Sequence, residues 1–491
     1  MTIGIIDFGT YIPHYRVSRA AIGEAWKLEQ AKPLLIGERA VAGFDEDCIT
    51  MATEAALHAL TGRDGTQVDG LYFASTTAPF GEKSSAAVVA MACDLDASRT
   101  ADLGNSLRAG TTAVAYALDS LKAGSIRQVL VTTADMRRPE PGTILEAISG
   151  DGAAALLLGS GEDVIAELVG QYHLSDPTID TWRVRDGRYL QTDDEAYTNQ
   201  VGYFAMMKQV VKGLMETSGV EAADVKGVAA YVPDGRTYMS MAKQSPLGAA
   251  IMAMGMDGPA PSLLMQAGNM GTAFAIAQLA LLLEKANPGD HIALVGYGDG
   301  ADAFLFRVTD AITNRPQKRL TAAWLNSKAE LPYNLALYFR QNLQDKPLFP
   351  PTVDPWTSLP LLYRERDELL RFHAQKCGNC GAVWWPHRPN CYDCGNETDF
   401  STLRLGGKAT VASFVAEWAI PTPVPPAGMI TADTPEGARI TNASTDGDPR
   451  GLKVGDEVEF ALRIFHTAKG LPHYSWKIRK LRDGVAGESL S

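Results

Sequence analysis

The sequence predicts an α/β protein: a duplicated α/β unit over residues 1–310, then a metal-binding knuckle pair and a small β-barrel. Three observations predict it. The first is an internal repeat. Val68-Asp69-Gly70-Leu71-Tyr72-Phe73-Ala74 recurs as Val225-Lys226-Gly227-Val228-Ala229-Ala230-Tyr231, the Gly104-Asn105 turn as Gly268-Asn269, and Gly150-Asp151-Gly152-Ala153 as Gly298-Asp299-Gly300-Ala301, in the same order each time. The second is a pair of Cys-x-x-Cys knuckles, and the third is a set of short alternating apolar segments after Gly406.

Within the repeat, short apolar strands alternate with Ala-rich helical runs, Gly110 to Ala123 in one half and Thr272 to Ala286 in the other. A repeat unit this long, mixing strands and helices, makes two stacked halves (about 1–165 and 166–310) and not a solenoid. Phe274 to Leu283 is the most apolar stretch and reads as a buried central helix. A cleft is expected at the strand ends, where the Gly-Asn turns and helix N-termini meet.

Residues 311–370 read as a linker or embracing arm. Pro347 to Pro360 holds five prolines, too many for a regular helix, and a helix is predicted from Leu361 to Gln375. Cys377-Gly378-Asn379-Cys380 and Cys391-Tyr392-Asp393-Cys394 follow, in a zinc ribbon over 371–397. Four soft thiolates suit tetrahedral zinc and leave no open position, so the expected role is structural. Over 398–491, Ala409–Val415, Ala438–Asn442 and Glu457–Ile464 read as strands, with a turn at Gly451–Asp456, and suggest a small closed barrel.

Composition narrows the function classes. A chain of 491 residues has room for two or three domains. There is no signal segment and no apolar run of membrane-spanning length, and the six cysteines form no evenly spread disulfide framework, so a reducing cytoplasm is expected. A net charge of −12 argues against nucleic acid, although Trp418, Tyr474 and Trp476 supply aromatics to the barrel.

The opening Met1-Thr2-Ile3-Gly4-Ile5-Ile6-Asp7, the Tyr11-Ile12-Pro13 turn, Ile36-Gly37, Gly150-Asp151-Gly152-Ala153 and Gly296-Tyr297-Gly298 carry a family resemblance. Residues 1–310 resemble the thiolase superfamily in its HMG-CoA synthase and ketoacyl synthase III branch. The resemblance implies an αβαβα sandwich with two five-stranded mixed sheets around a buried helical layer. It also implies a CoA thioester substrate and a homodimer formed through edge strands. The zinc ribbon and barrel resemble the rubredoxin-like zinc-ribbon plus OB-fold proteins that accompany thiolase-like enzymes. A second thiolase-like subunit, or a dehydratase or hydratase, is therefore a conceivable partner.

The departures from that branch set the functional expectation. Leu107 stands where its nucleophilic Cys belongs, Thr77 at its general-base Glu and Tyr231 at its catalytic His, whereas Asn269 is kept. Leu offers no thiolate. Cys48 and Cys93 lie in apolar helical stretches and read as core residues. Ser106 is either a replacement nucleophile or a helix cap, and none of His14, His58, His173 and His291 sits at a strand end of the repeat. The expected activity is aldol or retro-aldol chemistry on a β-hydroxyacyl-CoA without a covalent acyl-enzyme. The alternatives are a Claisen-type acyltransferase and a non-catalytic thiolase-like subunit. Tyr231 and Tyr297 would carry protons if their pKa values were tuned towards neutrality, and Asn269 would hold the thioester or enolate oxygen. The Leu107 and Arg108 amides at a helix N-terminus, with Gly300, would receive the CoA thioester. Arg137, Arg138, Arg183, Arg185 and Arg188 are candidates for its phosphates, or simply a solvated charged face.

Overall fold

A computed structural model describes residues 2–193, 195–316, 318–342, 358–420 and 422–482. The first half contributes five strands to the main sheet: β1 (Ile3–Tyr11), β2 (Val68–Ala74), β3 (Arg99–Leu103), β4 (Gln128–Met136) and β5 (Asp151–Ser160). The second contributes β6 (Ala166–Ser175), β7 (Val225–Ala230), β8 (His291–Tyr297) and β9 (Gly300–Val308). The spatial order is β7-β8-β9-β6-β1-β5-β4-β2-β3. Read outwards from the β6–β1 joint, each half follows one plan. Its first strand pairs antiparallel with its last, the last antiparallel with the one before it in sequence, and that one parallel with the half's second strand. The repeat is a real structural duplication.

The expectation of two five-stranded sheets needs correction. The second half has four strands, and a short antiparallel contact at Gly4–Glu167 and Ile5–Ala166 joins both halves into one nine-stranded sheet. Where a fifth strand would fall, Gly258-Pro259-Ala260-Pro261 opens a helix over Pro259–Gln266. Proline has no N–H for a ladder but suits the first turn of a helix, so this segment is helical.

Five helices are enough to place the layers: α1 (Cys48–Leu60), α2 (Ala109–Lys122), α3 (Ala205–Ser218), α4 (Pro259–Gln266) and α5 (Phe274–Leu283). Asp47 caps α1 by accepting from the Ile49 and Thr50 amides, and Thr50 returns a bond to the Asp47 amide. Helices α2 and α5 touch strands of both halves, and the sheet folds round them as a central layer. Helix α1 covers the first half from outside and α3 the second. The apolar run Phe274 to Leu283 is the buried helix α5, as its composition predicts.

Beyond β9 the chain turns back over the N-terminal half. Arg315 and Lys318 both reach Asp7 in β1 at 2.8 Å, and Ala329–Glu330 pairs parallel with Tyr15–Arg16. Most of the proline-rich stretch lies outside the described residues. The helix predicted from Leu361 to Gln375 is instead two short helices, Leu359–Arg364 and Arg366–Leu369, followed by β10 (His373–Cys377). Phe372 sits at φ 61°, a left-handed conformation that stops a helix. β10 pairs with β11 (Val383–Trp384) and β12 (Phe400–Arg404).

The last five strands are β13 (Lys408–Glu417), β14 (Ala427–Asp433), β15 (Arg439–Ala443), β16 (Glu457–Ala468) and β17 (Leu471–Lys480). They form an antiparallel sheet in the order β15-β14-β13-β16-β17. A bridge between Ser444 and Ile478 brings its edges together into a nearly closed barrel. The predicted strands lie within β13, β15 and β16. β14 and β17 were not foreseen; β17 carries Lys477, Arg479 and Lys480 and so lacks a clean apolar alternation. β16 and β17 rest on α1 and the turn before it through buried ions: Arg463 and Arg479 both meet Glu54, and Lys477 meets Asp45.

Candidate active site

The cleft forms where β4, β7 and β8 end. At the end of β4, the fully buried Asp135 knits the two halves. One carboxylate oxygen accepts from the Ser75, Thr76 and Thr77 hydroxyls and the Thr76 amide, and the other accepts from the Thr272 amide at 2.8 Å. Thr77 is therefore a structural residue here. Its hydroxyl also takes the Met136 amide and lies 3.1 Å from the Cys48 thiol. Burial pushes the thiols of Cys48 and of Cys93 up to about 12, so both remain neutral core groups, as their apolar surroundings predict.

The N-terminus of α2 faces the second half. Ser106 neither caps the helix nor stands free, because its hydroxyl donates across the cleft to the Gly298 carbonyl at 2.9 Å. Leu107 packs against the core. The Arg108 side chain turns away to the Leu174 carbonyl at 2.7 Å and to Asp302 at 3.3 Å. Gly298 comes so close to this turn that a Cβ there would stand 2.9–3.0 Å from the Leu107 and Arg108 amides. Gly300, at φ 116°, serves strand pairing, since a Cβ would lie 2.2 Å from the Leu174 carbonyl oxygen.

Tyr231 and Tyr297 do come together. Tyr231 follows β7 directly, Tyr297 ends β8, and their rings stack at 6.2 Å and 26°. Tyr203 completes the aromatic wall, edge-on to Tyr297 at 5.0 Å, and donates its hydroxyl to the Tyr231 carbonyl at 2.7 Å. Together with Asp180, Ile148 and Leu190, these rings line a cavity of about 270 Å³. Behind Tyr231, Asn269 donates to the Val232 carbonyl at 2.9 Å and accepts from the Gly271 amide. The Asn269 and Arg137 side chains also lie near the Tyr231 hydroxyl.

The electrostatics correct one expectation. Neither phenol is tuned towards neutrality. Burial pushes Tyr231 above its ordinary value, against the pull of Arg137 and of the bonds from Asn269 and Arg137. Burial pushes Tyr297 higher still, with the Asp180 charge adding to it. Both stay protonated, so neither is available as a base. Arg137 offers no acceptor and the Asn269 amide nitrogen is directed to the Val232 carbonyl, so neither nitrogen takes the Tyr231 hydrogen, which is left for a ligand in the cavity. The Tyr297 hydroxyl faces Asp180 without a well-formed bond and is buried without a partner, as are Nε and Nη1 of Arg137.

No motif marks Asp180, or the place of Arg137 beside Tyr231. Asp180 lies in an irregular loop, and Arg137 is marked only as one of several arginines. The others divide. Arg183 donates to the Gly187 and Thr76 carbonyls, and Arg188 to the Gln341 carbonyl and the Asn342 side chain. Arg138 is held below its ordinary value by burial and by Arg340, Arg183 and Arg188 nearby. Arg185 is exposed.

A second candidate centre lies at the start of the C-terminal region. The sulfurs of Cys377, Cys380, Cys391 and Cys394 all lie within 4.8 Å of one another, which can hold a metal ion. Two tight turns make this possible, with the Gly381 amide closing on the Cys377 carbonyl at 2.9 Å and Gly395 on Cys391 at 3.0 Å. Trp384 and Phe400 pack around the buried Cys377 and Cys391.

This architecture, with its cleft between two repeated halves, is the thiolase-type fold of acyl-CoA condensing enzymes. An HMG-CoA synthase structure complexed with CoA superposes at TM-score 0.63 with 20% identity, covering 73% of this chain and 96% of that one. A 3-oxoacyl-[acyl-carrier-protein] synthase III from Aquifex aeolicus gives 0.53 with 20% identity, over 62% and 99%. No protein-family model matches. Among curated proteins, a hydroxymethylglutaryl-CoA synthase of Methanocaldococcus jannaschii is 32% identical over 350 residues, 70% of this chain and 99% of its own length. One from Archaeoglobus fulgidus is 31% identical over 351 residues, with the same coverage. The chain belongs to the hydroxymethylglutaryl-CoA synthase family. These names support acyl-CoA condensation, the alternative expectation, and lend no support to a lyase. No described helix is long and apolar enough to cross a membrane.

Proposed function

We propose that the chain makes or breaks a carbon–carbon bond at the α-carbon of an acyl-CoA thioester without passing through an acyl-cysteine. Family membership supports the condensing direction. Leu107, just before α2, carries the rest: no cysteine lines the cavity among the described residues, Cys48 is a buried neutral thiol, and the Ser106 hydroxyl is committed to Gly298. In this reading the thioester carbonyl oxygen takes the free Tyr231 hydrogen. The stack on Tyr297 and the Tyr203 bond to its carbonyl hold Tyr231 in place, so negative charge developing as the enolate meets a neutral donor already positioned for it. Cleavage of a 3-hydroxyacyl-CoA is the reverse of the same bond-making step.

We further propose that the four cysteines hold structural Zn²⁺. The donor set of four thiolates fits that ion and leaves no position for substrate, and the segment then acts as a zinc ribbon leading into an OB-fold barrel. The corresponding division is a catalytic body over 1–310, an arm over 311–370, the ribbon over 371–397 and the barrel over 398–491.

The test uses the purified full chain. Incubation with hydroxymethylglutaryl-CoA and other 3-hydroxyacyl-CoAs should yield shorter acyl-CoAs, or the reverse condensation, while intact-protein mass spectrometry shows no acyl adduct. A stable adduct on Ser106 or any cysteine would replace this reading with covalent acyl transfer.

A further inference from the structure

The cavity needs a proton acceptor, and its tyrosines cannot serve. Three carboxylates line it among the described residues: Glu140, Asp180 and Asp234. Asp234 is occupied as the cap of the helix Gly235–Gln244, accepting from the Arg236 and Thr237 amides and the Thr237 hydroxyl. Glu140 is exposed at the rim. Asp180 is half-buried and lies against the aromatic wall. The Thr181 amide donates to its carboxylate, and the unpartnered Tyr297 hydroxyl faces it.

We propose that Asp180 is the general base that removes the α-proton of the acyl-CoA bound in this cavity. The step balances within the groups named. The α-C–H bond breaks, its proton passes to an Asp180 carboxylate oxygen, and its electron pair forms the enolate. The enolate oxygen is held by the Tyr231 hydroxyl. The enolate carbon then bonds to the electrophile's carbonyl carbon, and Asp180 can return its proton to the resulting alkoxide. Tyr297 orients the carboxylate and stays protonated. The surroundings suit a base stronger than a free aspartate. Burial raises the Asp180 pKa and the charge of Asp299 adds to it, against the Thr181 hydrogen bond, the nearby Tyr297 hydroxyl and the charge of Arg137. This assignment rests on the acyl-CoA reading of the cleft.

The experiment is exchange of the α-hydrogens of acetyl-CoA and propionyl-CoA in D₂O by the full chain, followed by mass spectrometry, with acyl-CoA binding measured calorimetrically in parallel. It requires no knowledge of the second substrate. Exchange by the wild type, at least about 100-fold slower in Asp180→Asn and partly recovered in Asp180→Glu with affinity unchanged, is the expected result. The wild-type rate should rise with pH through one ionisation above the ordinary aspartate value of about 3.9. That profile decides the matter even if Asp180→Asn fails to fold. Undiminished exchange in Asp180→Asn, or a rate rising only near pH 10 as for a tyrosine, overturns the role of Asp180 and leaves the acyl-CoA reading standing. A wild type that binds both thioesters but exchanges neither overturns that reading and Asp180 with it.

Discussion

At the scale of single residues, the cleft differs from a thiolate enzyme by what its side chains can donate or accept. Tyr231 offers a hydrogen and keeps it, because burial holds the phenol neutral at physiological pH. Tyr231→Phe keeps the ring in its stack on Tyr297 and removes only that donor. Turnover should fall by about 10²–10³-fold, the usual worth of a donor to a developing oxyanion. Stability should change by no more than about 1.5 kcal/mol, the net value of one hydrogen bond. Unchanged turnover would show that the phenol is part of the wall and nothing more. Leu107→Cys should give no gain, since the partners that activate a thiolate are absent with it: Thr77 is bonded to Asp135, and Tyr231 is not a base. Residue types at strand ends were readable in the sequence, and so Tyr231, Tyr297 and Asn269 were found. Their charge states were not, because burial and the approach of Asp180 and Arg137 are properties of the folded cleft.

At the scale of elements, the repeat made most of the body legible. Gly-Asn turns, Gly-Asp-Gly strand starts and Ala-rich helices recur at matched places, and β2, β5, β7, β9, α2 and α5 follow from them. The missing counterpart of β3 did not follow, because that segment is decided by its prolines in the folded structure and not by the repeat. Pro259 and Pro261 settle it in favour of α4. The helix expected through residue 375 failed for a local reason, the left-handed turn at Phe372, which has no glycine to announce it. The cysteine knuckles were legible because their spacing alone forces the geometry. Their sulfurs converge around one point, and if zinc sits there, folding of this element is coupled to the metal. Replacing Cys377 and Cys391 by Ser should bring the zinc content of the pure protein close to zero per chain and make β10–β12 sensitive to protease. Near-stoichiometric zinc in that double variant, by elemental analysis, would end the assignment.

At the scale of the whole molecule, the open question is how the parts move together. β3 is the edge of the nine-stranded sheet, with Arg99, Thr100 and Asp102 exposed. An unpaired edge of this kind is a template for a second copy, so light scattering at micromolar concentration should return a dimer mass. Acid should weaken the molecule in a definite window. Burial holds His14 neutral down to about 3 and His58 down to about 4, both below the ordinary value of 6.5. The unfolded chain therefore binds more protons than the folded one from about pH 6.5 downwards. Their contribution is full above 6.5 and is lost as pH falls through the folded values. The melting temperature should drop between pH 6.5 and 4, and less steeply in a His14→Gln/His58→Gln variant.

The barrel is the part whose attachment can be argued furthest. Arg463 and Arg479 are fully buried between β16, β17 and α1, and each is held by more than one acid. Arg463 meets Glu46, Glu54 and Asp446, and Arg479 meets Glu54, Asp446 and Glu459. Tyr474 reaches the cap of the same helix through Asp47 at 2.6 Å, and Arg482 donates to the carbonyls of Ile12, Trp324 and Ser327. A surface on which a separate module merely rested would not bury so many charges, because each leaves water only if its partners are fixed. The barrel and the N-terminal half should therefore unfold together in calorimetry. Glu54 is a partner of both guanidiniums, so Glu54→Leu takes one of three acids from each of two buried cations at once. It should cost about 3–5 kcal/mol and split the single transition in two, the barrel melting first. A wild type that already shows a separate barrel transition would mean that the ions hold the barrel in register without coupling its stability to the body.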